Sequence, residues 1–234
     1  MQPDSLSRRS FLGAAAALSM AGPRGSLEAL SLHGVPRPRG IVPVNEAVAP
    51  WPPYENAIVV DFLASPGYFN YPLNPPLDEE MIRFAVESGI TAVNLTCSGS
   101  DFTSSVERIA GWLDRIERYP DAFRQIRTVA DLYDAKNTGR LGIVLGFQDT
   151  TPFERDVTNV DTFLHLGVKV AQLTYNVRNL VGDGCLEPAN GGLTRFGHQV
   201  VERMNEVGMM VDLSHCGQQT TADGIAASSR PVAI

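Results

Sequence analysis

A chain of 234 residues with 44% hydrophobic side chains is long enough to bury one sizeable α/β core. Its net charge of -7 and pI near 5.1 leave no basic surface of the kind that nucleic acid or an anionic membrane requires. Four histidines and three cysteines are too few for a disulfide framework or a compact zinc module, and no apolar run reaches the roughly 20 residues that span a bilayer.

At the N-terminus, Ser7-Arg8-Arg9-Ser10-Phe11-Leu12 precedes an apolar run from Gly13 to Ala21. The pattern resembles a twin-arginine export signal over residues 1–21, with a small-x-small cleavage site at Ser19-Met20-Ala21. The expectation is an exported, periplasmic protein with no membrane span once the signal is removed. The alternative is a chance Arg-Arg pair before an alanine-rich helix. Residues 22–56 are rich in Pro and Gly without clear periodicity and read as a flexible arm.

From Ala57 the pattern alternates strand and helix. Ile58 to Phe62 reads as a first buried strand, and a Pro-rich loop runs to Pro76. Asp78 to Ser88 reads as a helix closed by Gly89, and Ile90 to Leu95 as a second strand ending in Thr96-Cys97-Ser98. Ser104 to Tyr119 carries Val106, Ile109, Leu113 and Ile116 on one helical face. Ile126 to Val129 is the candidate third strand, followed by a helix around Leu132 that stops at Gly139. Leu141 to Phe147 is a fourth strand tipped by Gln148-Asp149-Thr150. A helix around Phe163 leads to a fifth, Val168 to Leu173, tipped by Thr174-Tyr175-Asn176.

After a long loop from Val177 to Gly192, Thr194 caps a helix whose Phe196, Val200, Met204 and Val207 share one face. Gly208 ends it, and Met209 to Leu213 is a sixth strand delivering Ser214, His215 and Cys216. A helix over Thr220 to Ala227 leads to Pro231-Val232-Ala233-Ile234, the start of a seventh. This alternation implies a parallel sheet wrapped by helices. The expected fold is a (β/α)8 TIM-barrel-like domain over residues 57–234. Because such barrels take about 250 residues, the C-terminal part is expected to be missing. The second reading is an open doubly wound sheet, although no Gly-x-Gly-x-x-Gly follows a strand to support dinucleotide binding.

On a barrel the polar strand tips would ring one mouth: Ser65, Cys97, Gln148, Asp149, Tyr175, Asn176 and Ser214 to Cys216. A histidine at such a tip serves as a metal ligand, a general base or a structural hydrogen-bonding residue. Cys97, Cys185 and Cys216 follow strands on the side of His215, so three thiolates and an imidazole could form a zinc site. The plainer readings are a disulfide in an oxidising compartment, or three small buried residues. Asp183 and Glu187 read as surface charges of the long loop, or as residues facing the mouth.

Asn190-Gly191-Gly192-Leu193-Thr194-x-Phe196-Gly197, then Val-Val-x-x-Met-Asn, then Asp212-x-Ser214-His215, strongly resembles the membrane (renal) dipeptidase family of zinc metallopeptidases. The likeness extends upstream through Gly167-Val-x-x-x-Gln-Leu-Thr-x-Asn176 and more thinly to Val59-Val60-Asp61. It implies a (β/α)8 barrel of the metallo-dependent hydrolase type that hydrolyses dipeptides with two zinc ions at its mouth. The family's ligands are a His-x-Asp after the first strand, a bridging Glu after the fourth, and one His each after the sixth and seventh. In this chain the His-x-Asp falls on Leu63 and Ser65, and the bridging Glu on Gln148. The sixth-strand ligand is His215, and the seventh would lie beyond Ile234. Asp149 could offer a carboxylate beside Gln148, while Tyr175 stands where the family has a substrate-contacting histidine, next to Asn176. The expected metal residues are therefore His215 and Asp149, and the expected substrate contacts Tyr175 and Asn176. Two functions are open: metal-dependent dipeptide hydrolysis impaired by missing ligands, or a non-catalytic periplasmic binding or interaction protein on a dipeptidase fold.

Overall fold

A computed structural model describes residues 52–66 and 77–234. The export signal, most of the arm and the Pro-rich loop over 67–76 lie outside the described residues. The last residues of the expected arm are helical: Pro52–Asn56 forms a short helix, α1, whose Tyr54 hydroxyl donates to the Ser88 carbonyl at 3.3 Å.

Six parallel strands follow: β1 (Val60–Asp61), β2 (Ala92–Thr96), β3 (Phe123–Gln125), β4 (Leu141–Phe147), β5 (Val168–Gln172) and β6 (Met210–Asp212). The intervening helices are α2 (Glu79–Glu87), α3 (Phe102–Arg118), α4 (Val129–Thr138), α5 (Asn159–Leu166), α6 (Arg195–Val207) and α7 (Gln218–Ala227). The sheet runs β1-β2-β4-β5-β6, and Ala233 begins the next position beside Asp212. This is a parallel half-barrel in which β3 stands off the main path.

The third strand is displaced from its expected place at Ile126 to Val129. β3 pairs only with the first residues of β4, Phe123 opposite Leu141, while Val129 is exposed and opens α4. The cause is local. The Asp131 carboxylate accepts hydrogen bonds from Thr128 N, Thr128 Oγ1 and Arg127 N at 2.8, 2.9 and 3.1 Å, and from Arg124 at 2.7 Å. A helix start clamped this firmly outweighs the β-propensity of Ile126 and Val129. Partial burial acts to raise the Asp131 pKa, but these bonds together exceed it and hold the carboxyl near 2.

Strand alternation separates two faces. Val93 and Leu95 of β2, Leu141, Ile143, Leu145 and Phe147 of β4, Ala171 of β5 and Val211 of β6 join the main core with Ile109, Trp112, Phe163 and Met204 from the helices. Phe163 lies 4.8 Å from Phe147, 4.9 Å from Phe102 and 6.0 Å from Phe153, centroid to centroid. The alternate residues face the other way: Ala92, Asn94 and Thr96; Gly142, Val144 and Gly146; Val170 and Gln172; Met210 and Asp212. Polar residues collect toward the C-terminal ends of the strands, where parallel α/β folds bind ligands.

Candidate functional site at the mouth of the sheet

A cavity of about 280 Å³ opens at these strand ends, among Asp61, Leu63, Asn94, Thr96, Gln148, Gln172, Asp212, Ser214 and His215. A second, mostly apolar cavity of about 210 Å³ lies between α2 and the sheet, against Met81, Phe84 and Val93. Of the strand-tip residues named above, Ser65 lines this second cavity and not the one at the mouth.

The family-like motif braces the long loop that leads to the mouth. Thr194 accepts the Gly197 N–H at 2.9 Å and so caps α6, whose C-terminus closes at Gly208 with φ of 80°. Asn190 Oδ1 accepts from Gln219 N at 2.8 Å, Gly191 N donates to Asp183 at 2.6 Å, and Leu193 N donates to Asp223 at 2.9 Å. Each bond ties the long loop to α7 or to Asp183. Asp183 is therefore no surface charge: it is buried at 2% exposure, and the Arg178 guanidinium grips both its oxygens at 2.5 and 3.0 Å. That pairing, with the Gly191 N–H, holds the Asp183 carboxyl below its usual range. Glu187 accepts from the Arg178 backbone N–H at 3.0 Å, so it too serves the loop.

The loop then returns to His215. Gly184 and Cys216 form an antiparallel bridge, and Cys185 N donates to the His215 carbonyl at 2.8 Å. The His215 Nδ1 meets Asn176 Oδ1 at 2.9 Å, and the Cys185 thiol lies 3.6 Å from the same oxygen. The Tyr175 ring is tilted 33° to the imidazole at 4.5 Å between centroids. Tyr175, Asn176 and His215 thus come together in one cluster. Asn176 and His215 both hold left-handed backbones, with φ of 62° and 58°. For a histidine that conformation costs on the order of 1 kcal/mol and persists only where surrounding bonds impose it.

Asp149 is turned elsewhere. Its Oδ1 accepts from Thr151 N at 2.6 Å and from the Thr151 hydroxyl, while Oδ2 accepts from Tyr175 N at 3.1 Å and Asn179 Nδ2 at 3.0 Å. These bonds fix the Tyr175 turn, and Asp149 is not among the cavity-lining residues. Gln148 lines the cavity instead.

The three cysteines are free thiols and do not assemble. Cys97 is fully buried, and burial pushes its pKa up to about 12. Cys216 is buried with its sulfur accepting from Thr174 Oγ1 at 3.3 Å, and its pKa is raised, chiefly by burial. Cys185 alone is exposed and stands with His215. Among the described residues, no group of three or more His, Cys, Asp or Glu is placed to hold a metal ion. The lining offers two carboxylates, Asp61 and Asp212, and one imidazole whose Nδ1 is committed to Asn176, with a neutral Gln148 and an aliphatic Leu63 where the resemblance puts a glutamate and a histidine, a set too small for a pair of zinc ions.

Sequence reasoning passed over Asn94, and quoted Gln172 and Asp212 within the family-like stretches without giving either a role. Asn94 is 5% exposed, Gln172 2% and Asp212 6%. Gln172 Nε2 donates to the carbonyls of Gln148 and Thr174 at 2.9 and 2.7 Å. Asn94 Nδ2 donates to the Phe62 carbonyl at 3.0 Å, while its Oδ1 has no partner. Gly146 makes room for that amide, since a Cβ there would lie 2.1 Å from Asn94 Oδ1. The available signal was a polar residue at an inward position of an otherwise apolar strand.

A parallel half-barrel with its polar residues gathered at one mouth defines the class: an α/β protein of the TIM-barrel-like hydrolase type. The sequence model of the membrane dipeptidases, Peptidase family M19, matches residues 77–234, and the chain belongs to that family. Dipeptidase verJ of Clonostachys rogersoniana is 34% identical over 119 residues, which is 50% of this chain and 31% of that protein. An amidohydrolase from Pseudomonas aeruginosa superposes with a TM-score of 0.68 at 36% identity, covering 76% of this chain and 52% of that one. A metallopeptidase from Rhodobacter sphaeroides, solved with a phosphinate mimic of the dipeptide L-Ala-D-Ala, superposes with a TM-score of 0.57 at 18% identity over 67% of this chain and 54% of its own. The chain spans about half the length of the solved relatives it matches.

Proposed function

We propose that this chain binds small peptides at the mouth of a dipeptidase half-barrel and hydrolyses them weakly or not at all. Family membership supports metal-dependent dipeptide hydrolysis as the general activity. The single observation that moves this chain away from it is the donor set of the cavity. Gln148 and Leu63 stand in the wall where the resemblance puts a glutamate and a histidine, and His215 is the one imidazole among the lining residues. The R. sphaeroides neighbour, which carries a dipeptide mimic, favours peptides as the ligand class.

Zinc content of the purified chain, measured beside turnover of L-Ala-L-Ala and L-Ala-D-Ala, tests this reading. The expected result is fewer than two zinc ions per chain and weak or no turnover above the uncatalysed rate, with peptide binding by calorimetry. Two zinc ions per chain with dipeptide turnover would sink it.

The Ser7 to Leu12 stretch supports a site of action outside the cytoplasm, reached by twin-arginine export. Replacing Arg8 and Arg9 together by lysine should trap the protein in the cytoplasmic fraction. Unchanged distribution after fractionation would rule that route out.

A further inference from the structure

Asn190-Gly191 is the sole Asn–Gly pair in the 234 residues, and it lies in the loop that the family-like motif braces. Such a pair carries a covalent chemistry of its own. The backbone nitrogen of the second residue can attack the side-chain carbon of the asparagine, and glycine obstructs that approach least because it has no side chain. In the step, Gly191 N loses its proton to hydroxide and bonds to Asn190 Cγ. The Cγ–Nδ2 bond breaks, and the nitrogen leaves as ammonia with a proton returned from water. Water then opens the five-membered imide at either carbonyl, leaving an aspartyl or an isoaspartyl link.

Burial does not prevent this chemistry here. Pro188, Ala189 and Gly191 are exposed and Asn190 is half-buried, so water reaches the segment. Hydrogen bonds restrain it instead. Gly191 N donates to Asp183 Oδ2 at 2.6 Å, and the Arg178 guanidinium holds both oxygens of that carboxylate. The attacking nitrogen must become an anion, and a carboxylate this close opposes a second negative charge. The other reacting group is anchored too. Asn190 Oδ1 accepts the Gln219 N–H in the first turn of α7 at 2.8 Å, so the carboxamide cannot rotate without breaking that bond. Asn190 also keeps a left-handed backbone, with φ of 45°, which surrounding bonds must maintain.

Asp183 is fixed by its own backbone: its N–H donates to Thr220 Oγ1 at 3.1 Å, and its carbonyl accepts the Gly217 N–H at 2.9 Å. The accessible partner in the clasp is Arg178, whose side chain is 55% exposed against 3% for Asp183. Losing it leaves a buried carboxylate without its counter-charge, which strains the whole clasp.

We propose that Asn190 is a site of spontaneous covalent modification, converted with loss of ammonia, which the Arg178–Asp183 clasp keeps closed in the folded chain and which opens when that clasp is released. The two products differ in consequence. An isoaspartyl link adds a methylene to the backbone ahead of Gly191 N and so displaces that N–H from Asp183. An aspartyl link keeps the backbone path and an acceptor for Gln219 N–H at the positive end of α7. The isoaspartyl product therefore frees the long loop, and the aspartyl product does not.

Peptide mapping by mass spectrometry of the full chain, aged in mildly alkaline buffer with and without guanidinium chloride, tests the site. Native wild type should convert Asn190 at least about tenfold more slowly than the denatured chain, because conversion then waits on local opening. Arg178→Ala in native buffer should convert it at least about fivefold faster than native wild type, with amide-exchange protection of β4 unchanged. Should Arg178→Ala fail to fold, Arg178→Lys replaces it with a smaller acceleration expected, since a point charge cannot grip both oxygens. Native conversion as fast as that of the denatured chain, or no conversion in either state, overturns the proposal. So does a folded Arg178 variant that converts at the wild-type rate. An acceleration matched by an equal loss of β4 protection assigns it to global unfolding and overturns the local clasp.

Discussion

On its helix-covered face the sheet buries Leu95, Leu145, Ala171 and Val211 in one continuous core with the helices. On the other face, the adjacent residues Asn94, Gly146, Gln172 and Asp212 leave a cavity lined by amides and a carboxylate. The same strands make both, because neighbouring side chains along a strand point to opposite faces. The first face gains stability from every contact. The second holds an unpartnered amide oxygen and an unpaired carboxylate that cost stability, which is the signature of a surface kept for a ligand.

Four substitutions or conditions break or sharpen that contrast. The largest effect is expected from Phe163→Ala on the helix-covered face, which removes a fully buried ring from contact with three others. It should cost about 3–5 kcal/mol in denaturant unfolding. A loss below about 1 kcal/mol would show that this aromatic cluster is not the centre of the core.

The next is alkaline pH. The folded-state pKa of Cys97 is raised from 9.0 to about 12 by burial, so its contribution is fully present below pH 9 and lost as pH rises toward 12. Unfolding midpoints should fall across that window, and Cys97→Ala should flatten the fall. An equal decline in the variant would assign the effect to other groups.

Third comes the start of α6. Thr194→Ala removes the acceptor for Gly197 N–H at the start of α6 and should cost about 1 kcal/mol, seen as a lower midpoint with an unchanged denaturant slope.

The smallest stability change is expected at the mouth itself. Asp212→Asn removes a buried charge yet keeps the acceptor for Ser214 N–H. Stability should therefore stay within about 0.5 kcal/mol or rise. A loss as large as that of Phe163→Ala would mean that Asp212 holds the fold, and the division between the two faces would disappear.

Much of this was legible in the chain. Leu141 to Phe147 was read with the ends the strand has, because an uninterrupted apolar run between Gly139 and Gln148 admits little else. Thr194 and Gly208 marked the ends of α6 correctly. The strand expected at Ile126 to Val129 was not there, since the Asp131 clamp at Thr128 starts a helix instead. Thr128-x-x-Asp131 was the signal that could have corrected it.

The motif from Asn190 to His215 identified the family, and its residues prove to be scaffold. Asn190, Gly191, Leu193 and Thr194 tie the long loop to Asp183, to α7 and to the start of α6. Asp183 itself looked like a loop charge, because a sequence cannot show that Arg178, five residues earlier, folds back to bury it.

By itself, then, the sequence determined the alternation of strands and helices, the parallel sheet and the family. These depend on local periodicity, capping residues and one long motif. Tertiary structure alone decided that Asp149 turns away to fix Tyr175, that Cys97 and Cys216 are buried while Cys185 joins His215, and that Asn94, Gln172 and Asp212 line one cavity. Those outcomes depend on which face a residue takes and what lies across the sheet from it. Strand register sets both, and register is a relation between segments that are distant in the chain.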